Sequence, residues 1–369
     1  MNYINSKLLR NIYLWGWVRP SQLVQLVRHP EFYTSPTYYP EYPERLRSHV
    51  SQFFNQVGEI LRFGRINTLY FLCGYDVKTR KEQKEYVHYN TFMYRRVELN
   101  LMHKDSSACI LRDKMLFAIF LEGLGLKGPN IQYYYDDGQL FRFADKSVAD
   151  EASFLHDNRV LFCKPLDGQC GKGIFVLEVK DGRLFVGEEE ITFEQLSERM
   201  AGRYIFQDFV KQHPAMAHLH PQSINTIRLL TVRSLKDNEI HFMPSILRIG
   251  TGASVVDNTT QGGLAIGIHL DNGYLKHYGF FKPRFGTKVE SHPDSHVKFD
   301  EFQIPFFEEA KQQAKLIHSM LPDIHSIGWD IAIGEDGPLF IEGNDNWEIT
   351  GPQTCNGGFR KYFTEYFFK

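Results

Sequence analysis

The sequence lacks a charge imbalance: 42 Lys and Arg stand against 44 Asp and Glu, a formal charge of −2 over 369 residues. No global field therefore recruits nucleic acid or an anionic membrane, and any charged partner must be met locally. Long apolar runs are missing as well. None reaches the roughly 18 residues of a spanning helix, so no membrane span is expected. The opening MNYINSKLLRNIYLWGW offers neither a clean apolar core nor a small-residue cleavage site, and the expectation is a soluble, cytoplasmic protein. Cysteine is scarce: Cys73, Cys109, Cys163, Cys170 and Cys355 are odd in number and widely spaced, with no Cys-x-x-Cys pair. That argues against a disulfide framework and against a zinc ribbon. There is no His-x-x-x-His helix or other zinc spacing, and His213, His218, His220 and His292 read as loop structure. No strand leads into a G-x-G-x-x-G turn, which leaves a Rossmann dinucleotide site unsupported. Aromatic side chains, in contrast, are abundant, with 30 Phe and 19 Tyr, most of them core.

Texture divides the chain. Residues 1–110 contain a Pro- and Tyr-rich stretch, RHPEFYTSPTYYPEYPERLRSHV, and then TRKEQKEYVHYNTFMYRRVELNLM, with charges and aromatics at helical spacing. A helical segment is expected there. From residue 111 onward, short strands are separated by Asp-Gly and Asn-Gly turns in YYYDDGQLFRF, IFVLEVKDGRLFV, AIGIHLDNGYLKHY and IAIGEDGPLFIEG. Four such hairpin signals imply largely antiparallel sheet. Helices interrupt it: DKMLFAIFLEGLG, TFEQLSERM with a Thr192–Gln195 capping box, and PFFEEAKQQAKLIHSML with Pro at its entrance. The fold class is α+β.

Chemistry concentrates in three places. The first is the last hairpin, GWDIAIGEDGPLFIEGNDNWE. A three-residue loop, Glu335-Asp336-Gly337, with Gly left-handed in third position, would set Gly334 opposite Pro338 and Asp330 opposite Glu342. Asn344 would share their face, while Ile327, Trp329, Ile331, Ile333, Leu339 and Ile341 would face the core. Two carboxylates so close repel unless a cation lies between them, and hard carboxylate and amide oxygens suit Mg²⁺ or Mn²⁺. The second place is LFCKPLDGQCGKGIFVLEV, where a buried strand ends on Lys164 and a loop with Gly168, Gly171, Lys172 and Gly173 feeds the next strand. Without Ser or Thr after the Lys and a following helix, this is no Walker loop, but its bare amides and Lys172 suit phosphates, with Lys164 beside them. The third is a pair of arginines inside apolar strands, Arg228 in INTIRLLTVR and Arg248 in FMPSILRIG, which need anionic partners. VVDNTTQGG then supplies Asp257, Asn258 and adjacent glycines.

In chain order these pieces resemble the ATP-grasp superfamily: a Lys in RDKMLF, a Lys-Pro strand end, a glycine hairpin, the strand RYIFQDFVKQHP, two strand arginines, and an Asp followed by Glu-x-Asn. The chain is most similar to its sugar-transfer-associated group, through HPQSINTIRLLTV, LRIGTGASVVDNTTQGG and IGWDIAIGEDGPLFIEGN. The resemblance implies an ATP-grasp fold of two α+β subdomains: residues 111–205 with the glycine-rich flap, and 206–369 with the metal site, after the helical segment 1–110. It implies ATP and Mg²⁺ as cofactors. Lys114 and Lys164 would contact phosphates under a flap of Gly171, Lys172 and Gly173. Gln207, Asp208, Phe209 and Val210 would hold adenine and ribose, and Asp330, Glu342 and Asn344 would bind two metal ions. Arg228, Arg248 and Asn258 would face the transferred phosphoryl group, as in the glutamate-ligase-like branch, although that branch has a basic residue where Asp257 stands.

The implied activity is an ATP-dependent, ADP-forming carboxylate–amine ligase working through an acyl phosphate. Its acceptor would be a sugar acid or saccharide-linked amino acid in polysaccharide biosynthesis, with a separate amine donor. The alternatives are a kinase of the same fold phosphorylating a sugar hydroxyl, and a nucleotide-binding module without turnover.

Overall fold

The computed structural model describes residues 13–100, 107–166, 173–200 and 202–369. Its first third is helical. A π-helical turn, Leu14–Val18, runs into α1 (Arg19–Arg28), followed by α2 (His49–Phe63), α3 (Tyr89–Asn100) and α4 (Lys114–Gly123). Local signals set the ends. Ser48 caps α2 by accepting from the Ser51 amide, and Gly64 ends it at φ +81°. Asp113 caps α4 by accepting from the Met115 and Leu116 amides, which puts Lys114 at the first helical position. The long charged stretch, helical as expected, forms two pieces, Arg80–Gln83, where Thr79 and Glu82 close a capping box, and α3.

Two seven-stranded sheets follow, antiparallel at every described pairing. The smaller comprises β1 (Ile131–Asp136), β2 (Gln139–Arg142), β3 (Arg159–Pro165), β4 (Phe175–Lys180), β5 (Arg183–Val186), β6 (Glu189–Ile191) and β7 (Tyr204–Asp208), in the order β2-β1-β7-β3-β4-β5-β6. It is covered by α5 (Phe193–Arg199), which starts at the expected Thr192–Gln195 capping box. The larger sheet comprises β8 (Thr226–Arg233), β9 (Ile240–Ile249), β10 (Leu264–Ile268), β11 (Leu275–Phe280), β12 (Lys288–Val289), β13 (Ser326–Gly334) and β14 (Gly337–Asn344), in the order β12-β11-β10-β9-β8-β13-β14. All four Asx-Gly hairpins are present. Asp137-Gly138 and Asp181-Gly182 both take positive φ, as a two-residue loop between twisted strands demands. The helix α6 (Phe307–Ser319) begins two residues after Pro305, so that Pro305 precedes the helix instead of opening it; Phe306 turns the chain at φ +53°.

The last hairpin departs from the expected turn. Gly334 pairs with Gly337, not with Pro338, leaving a two-residue loop; Phe340, opposite Ile331, is the fully buried residue on the core side instead of Leu339, which pairs with Ala332, or Ile341. A register shift between Asp330 and Ile331 passes over Ile341 and returns the missing residue. Asp330 therefore still lies opposite Glu342, and Gly328 opposite Asn344.

Both faces of the large sheet are covered, and alternation along each strand assigns them. One face, with Ile227, Leu229, Leu247, Trp329 and Ile331, packs on Phe307, Ala310, Ala314 and Ile317 of α6. The other carries Leu230, Val232 and Met243 against Val87, Phe92 and Leu99 around α3, and Ile246 and Ala265 against Tyr38, Leu69 and Tyr70. Between the sheets, α4 acts as a wedge. Phe117 and Leu121 enter the large core, while Met115 and Ala118 pack on Ile131, Leu166 and Ile205 of the smaller sheet.

A buried relay ties α6 to its sheet. Trp329 Nε1 donates to Thr231 Oγ1 at 2.8 Å, Thr231 pairs with His318 Nδ1 at 2.8 Å, and His318 Nε2 donates to the Ile324 carbonyl at 2.9 Å. The chain of donors closes when the imidazole is neutral. Burial depresses His318 to about 3, and burial likewise brings His88 and His325 to about 4. An unfolded chain takes up these protons near pH 6.5, so their contribution is complete above that pH and is lost as pH falls toward 4. Together they should cost about 4 kcal/mol of stability between pH 7.5 and 5.5. Urea midpoints measured across that range check this, and His318→Asn should flatten the dependence by about one proton; a stability independent of pH there contradicts the assignment.

Candidate active site

One end of the face shared with the N-terminal segment is polar. Along β8 the residues on that face run Thr226, Arg228, Leu230, Val232, and the pairing sets Arg228 beside Asp330 and Thr226 beside Arg248. Four antiparallel strands, β9, β8, β13 and β14, thus bring Arg248, Arg228, Asp330 and Glu342 into one row.

The row is held by charge-assisted hydrogen bonds. Arg228 grips Asp330 with both ends of its fork, Nε to Oδ1 at 2.5 Å and Nη2 to Oδ2 at 2.9 Å, and Arg248 Nη2 lies 3.1 Å from the same Oδ2. Arg248 also donates to Thr226 Oγ1, at 3.1 and 2.7 Å, and its Nε lies 3.4 Å from Asp257 Oδ2. Asp257 in turn accepts from the Thr226 amide at 3.2 Å and from the Thr226 hydroxyl. Burial opposes charge on Asp330, but Arg228 and Arg248 outweigh it and hold the carboxyl well below the usual carboxylate range. Burial pushes Glu342 up, and Asp330 across the hairpin pushes it further. Asn344 Nδ2 reaches Glu342 Oε1 at 3.2 Å and the Gly328 carbonyl at 3.3 Å.

Across from this row lies a narrow cavity lined by Lys114, Phe117, Pro129, Lys164, Gln207 and Glu342, among others. Lys164 comes from the end of β3, paired with Ile205 of β7. Burial, with Lys114 nearby, lowers its ammonium to about 8, against the opposing pull of Glu342 and Asp330. Lys114 Nζ donates to the Leu166 carbonyl at 3.1 Å. The cavity thus has two cations on the small-sheet side and acids on the large-sheet side.

The structure divides the other sequence-predicted residues. Gln207 is buried and lines this cavity, whereas Phe209 and Val210 line a separate, more open groove with Lys211, Gln212, Pro214 and Pro221. Asp208 lies between them and accepts from Asn130 and Gln132 at 2.7 and 2.9 Å. Asn258 caps a short 3-10 turn, accepting from the Thr260 amide and hydroxyl at 2.9 Å. Gly173 takes φ +74°, and a side chain there would meet the Tyr204 hydroxyl at 3.0 Å. Gly168, Cys170, Gly171 and Lys172 lie outside the described residues. Of the histidines read as loop structure, His218 sits in the helix Pro214–Leu219 and His213 caps it. His220 and His292 are buried, and their Nε2 atoms donate to the Ser254 and Gly250 carbonyls at 3.2 and 2.9 Å, pinning the loop that carries Asp257. Sequence reasoning missed Thr226, although its place two residues before Arg228 on one strand puts the two on one face.

The donor set suits a hard divalent cation. Glu342, Asn344 and the remaining lone pairs of Asp330 are oxygens, and Glu342 is the carboxylate of the row to which no arginine hydrogen-bonds among the described contacts.

A profile of the sugar-transfer associated ATP-grasp family matches residues 95–361. Among solved structures, D-alanine-D-alanine ligase from Helicobacter pylori aligns with a TM-score of 0.39 and 13% identity, over 70% of this chain and 57% of that one. D-alanine-D-alanine ligase from Bacillus anthracis, solved with ATP, aligns at 0.36 and 13%, over 69% and 59%. N5-carboxyaminoimidazole ribonucleotide synthetase from Thermotoga maritima aligns at 0.34 and 13%, over 64% and 42%. The chain spans about half the length of these structures. No curated protein matches the sequence.

The arginine–carboxylate row is testable without any ligand. Arg228→Met leaves Asp330 buried beside Glu342 with Arg248 alone and should cost about 3 kcal/mol in urea unfolding; Arg228→Met with Asp330→Leu should recover most of that. A single-variant loss below about 1 kcal/mol would show that the pair contributes little.

Proposed function

The chain belongs to the sugar-transfer-associated ATP-grasp family, and from that premise we propose that it is an ATP-dependent enzyme that activates a carboxylate for attack by an amine. The acceptor is a sugar acid or a saccharide-linked amino acid, the product an amide in polysaccharide assembly. The observation that carries this reading is the cavity where Lys114, Lys164, Gln207 and Glu342 meet beside the Arg228–Asp330–Arg248 row.

In this mechanism the two lysines hold phosphate oxygens from the small-sheet side, and Gln207 with its neighbours on β7 meets the adenine edge. Asp330, Glu342 and Asn344 are the residues to hold Mg²⁺ or Mn²⁺, which when bound would neutralise charge on the phosphate oxygens. Arg248 and Arg228 stabilise the equatorial oxygens of the transferring group. A carboxylate oxygen attacks the γ-phosphorus and ADP leaves, giving an acyl phosphate. The amine then attacks the acyl carbon, loses a proton, and phosphate departs with the bonding electrons. The acyl phosphate is prone to hydrolysis, so water must be excluded; the glycine loop around Gly171 and Lys172 is the segment proposed to cover it.

A second reading is favoured by Asp257, which occupies the Arg248 face that a carboxylate acceptor would use. In it, a sugar hydroxyl takes the phosphoryl group. The two separate in a mass-spectrometric screen of sugar acids and amino acids with ATP and Mg²⁺. Release of phosphate with gain of an amide supports the ligase, a phosphorylated acceptor supports the kinase, and nucleotide binding without ADP formation would sink both.

Two substitutions probe the site. Glu342→Gln should reduce Mg²⁺-dependent ADP formation by at least about a hundredfold, and unchanged turnover would remove the residue from the mechanism. Lys164→Ala should weaken ATP binding about tenfold or more in calorimetry; equal affinity would refute its assignment.

A further inference from the structure

The first helices are apolar on two sides. On α1, Leu23 and Leu26 face inward and pack with Ile60 of α2 and Ile66. The outward positions are apolar too: Trp17 is 70% exposed and Val27 66%, with Val24, Trp15 and Tyr13 also exposed. On α2, Val50, Phe54 and Leu61 recur at i, i+4 and i+11 on the outer surface, with Phe54 65% exposed. A surface helix ordinarily turns polar residues outward. Here the outward surfaces of two neighbouring helices mix exposed polar residues, Ser21, Gln25 and Arg28 on α1 and Ser51 and Arg62 on α2, with these large apolar ones.

Charge indicates what covers this surface. Residues 13–30 contain Arg19 and Arg28 and no Asp or Glu, in a chain whose net charge is −2. Arg19 Nε donates to the Leu61 carbonyl at 3.1 Å, and Gln22 accepts from the Ile66 amide at 3.1 Å, so Arg62 and Arg65 lie at the same end of the helix pair. The Arg19 guanidinium rests 3.9 Å over the Trp15 ring. Of the nearby acids, Glu31 pairs with His29 at 3.0 Å and Glu59 accepts from Asn67 at 3.3 Å. Exposed indole and phenol rings beside arginines, with aliphatic side chains between them, match the headgroup region of a bilayer: amphipathic rings at the interface, cations on phosphate, aliphatics below.

We propose that the outer surface of α1 and α2, with the aromatic turn before them, docks the protein peripherally on an anionic lipid bilayer. No helix of the described residues is long and apolar enough to cross one, and the contact is of the interfacial kind. The inference rests on these helices and not on the catalytic reading.

The tryptophans make the test clean. Trp329 and Trp347 are buried in the core, whereas Trp15 and Trp17 are exposed. Full-length protein mixed with vesicles of phosphatidylcholine and phosphatidylglycerol should float with them, its tryptophan emission should shift to the blue, and brominated lipid should quench it. Vesicles of phosphatidylcholine alone should bind at least about tenfold less protein, and added salt should weaken the anionic binding. Trp17→Ser combined with Val27→Ser and Phe54→Ser should reduce flotation about tenfold or more with an unchanged melting temperature. Absence of flotation, equal binding by the triple variant, or a concentration-dependent dimer that blue-shifts tryptophan without vesicles would each overturn the proposal. No nucleotide is needed, so the outcome is independent of whether the chain turns over ATP.

Discussion

Asp330 is 3% exposed in the middle of a sheet, and a carboxylate there is tolerable only if its charge is met at short range. That requirement organises its surroundings. Arg228, directly opposite on β8, supplies a bidentate grip, and Arg248 reaches across from β9. Arg248 is then itself a buried cation, and burial works against its charge until Asp257, Asp330 and Glu342 outweigh the penalty. Asp257 must come from a loop, so the loop must be fixed; Thr226 binds its carboxylate, and His220 and His292 pin the backbone upstream. Each charge obliges the next, and the result is a row of polar groups positioned before any ligand arrives.

The same constraint explains why the N-terminal segment is integral to the site. The face that bears the row continues under α3, and α3 reaches past the sheet to the chain that leaves β14. Asn100 Nδ2 donates to the Asp345 carbonyl at 2.7 Å and to the Ser326 carbonyl at 3.0 Å, and the fully buried Arg96 bonds to the Trp347 carbonyl and the Asn346 side chain. Asn344 immediately precedes this clamped loop. Arg112 adds a grip on Asp345 from outside. On the opposite side α4 packs on the cores of both sheets, and Lys164 and Glu342 line one cavity beside it.

Period-2 patterning made much of this legible. The alternation in IGWDIAIG told core from site, and the Asx-Gly turns located four hairpins. The register of the last hairpin was recovered for an incomplete reason: the turn is one residue shorter than its glycine suggested, and the bulge at Ile341 compensates. Bulges arise from packing on both faces of a strand, which one strand's sequence does not encode. The β7 segment illustrates the same limit. Gln207, Asp208, Phe209 and Val210 are adjacent in sequence, but the strand ends at Asp208, so Gln207 faces the cavity between the sheets while Phe209 and Val210 turn into a different groove. What the N-terminal helices do was unreadable for a related reason: α3 packs on strands more than a hundred residues away, and helical periodicity identifies a buried stripe without naming what buries it.

Charge balance bears on the acceptor. Among the described residues of the site, Lys114, Lys164, Arg228 and Arg248 are four cations and Asp257, Asp330 and Glu342 are three carboxylates, one positive charge in excess when all are ionised. ATP brings about four negative charges, and two divalent cations would cancel them. The excess then matches a single carboxylate on the acceptor. With one divalent cation the same complex would already be net negative, and an acceptor carboxylate would meet repulsion instead of a partner. On the reading proposed above, Asp257 therefore does not by itself exclude a carboxylate acceptor; acceptance would depend on how many metal ions Asp330, Glu342 and Asn344 held. The raised Glu342 carboxyl fits this dependence: burial and Asp330 across the hairpin disfavour its charge, and a cation beside it would favour that charge.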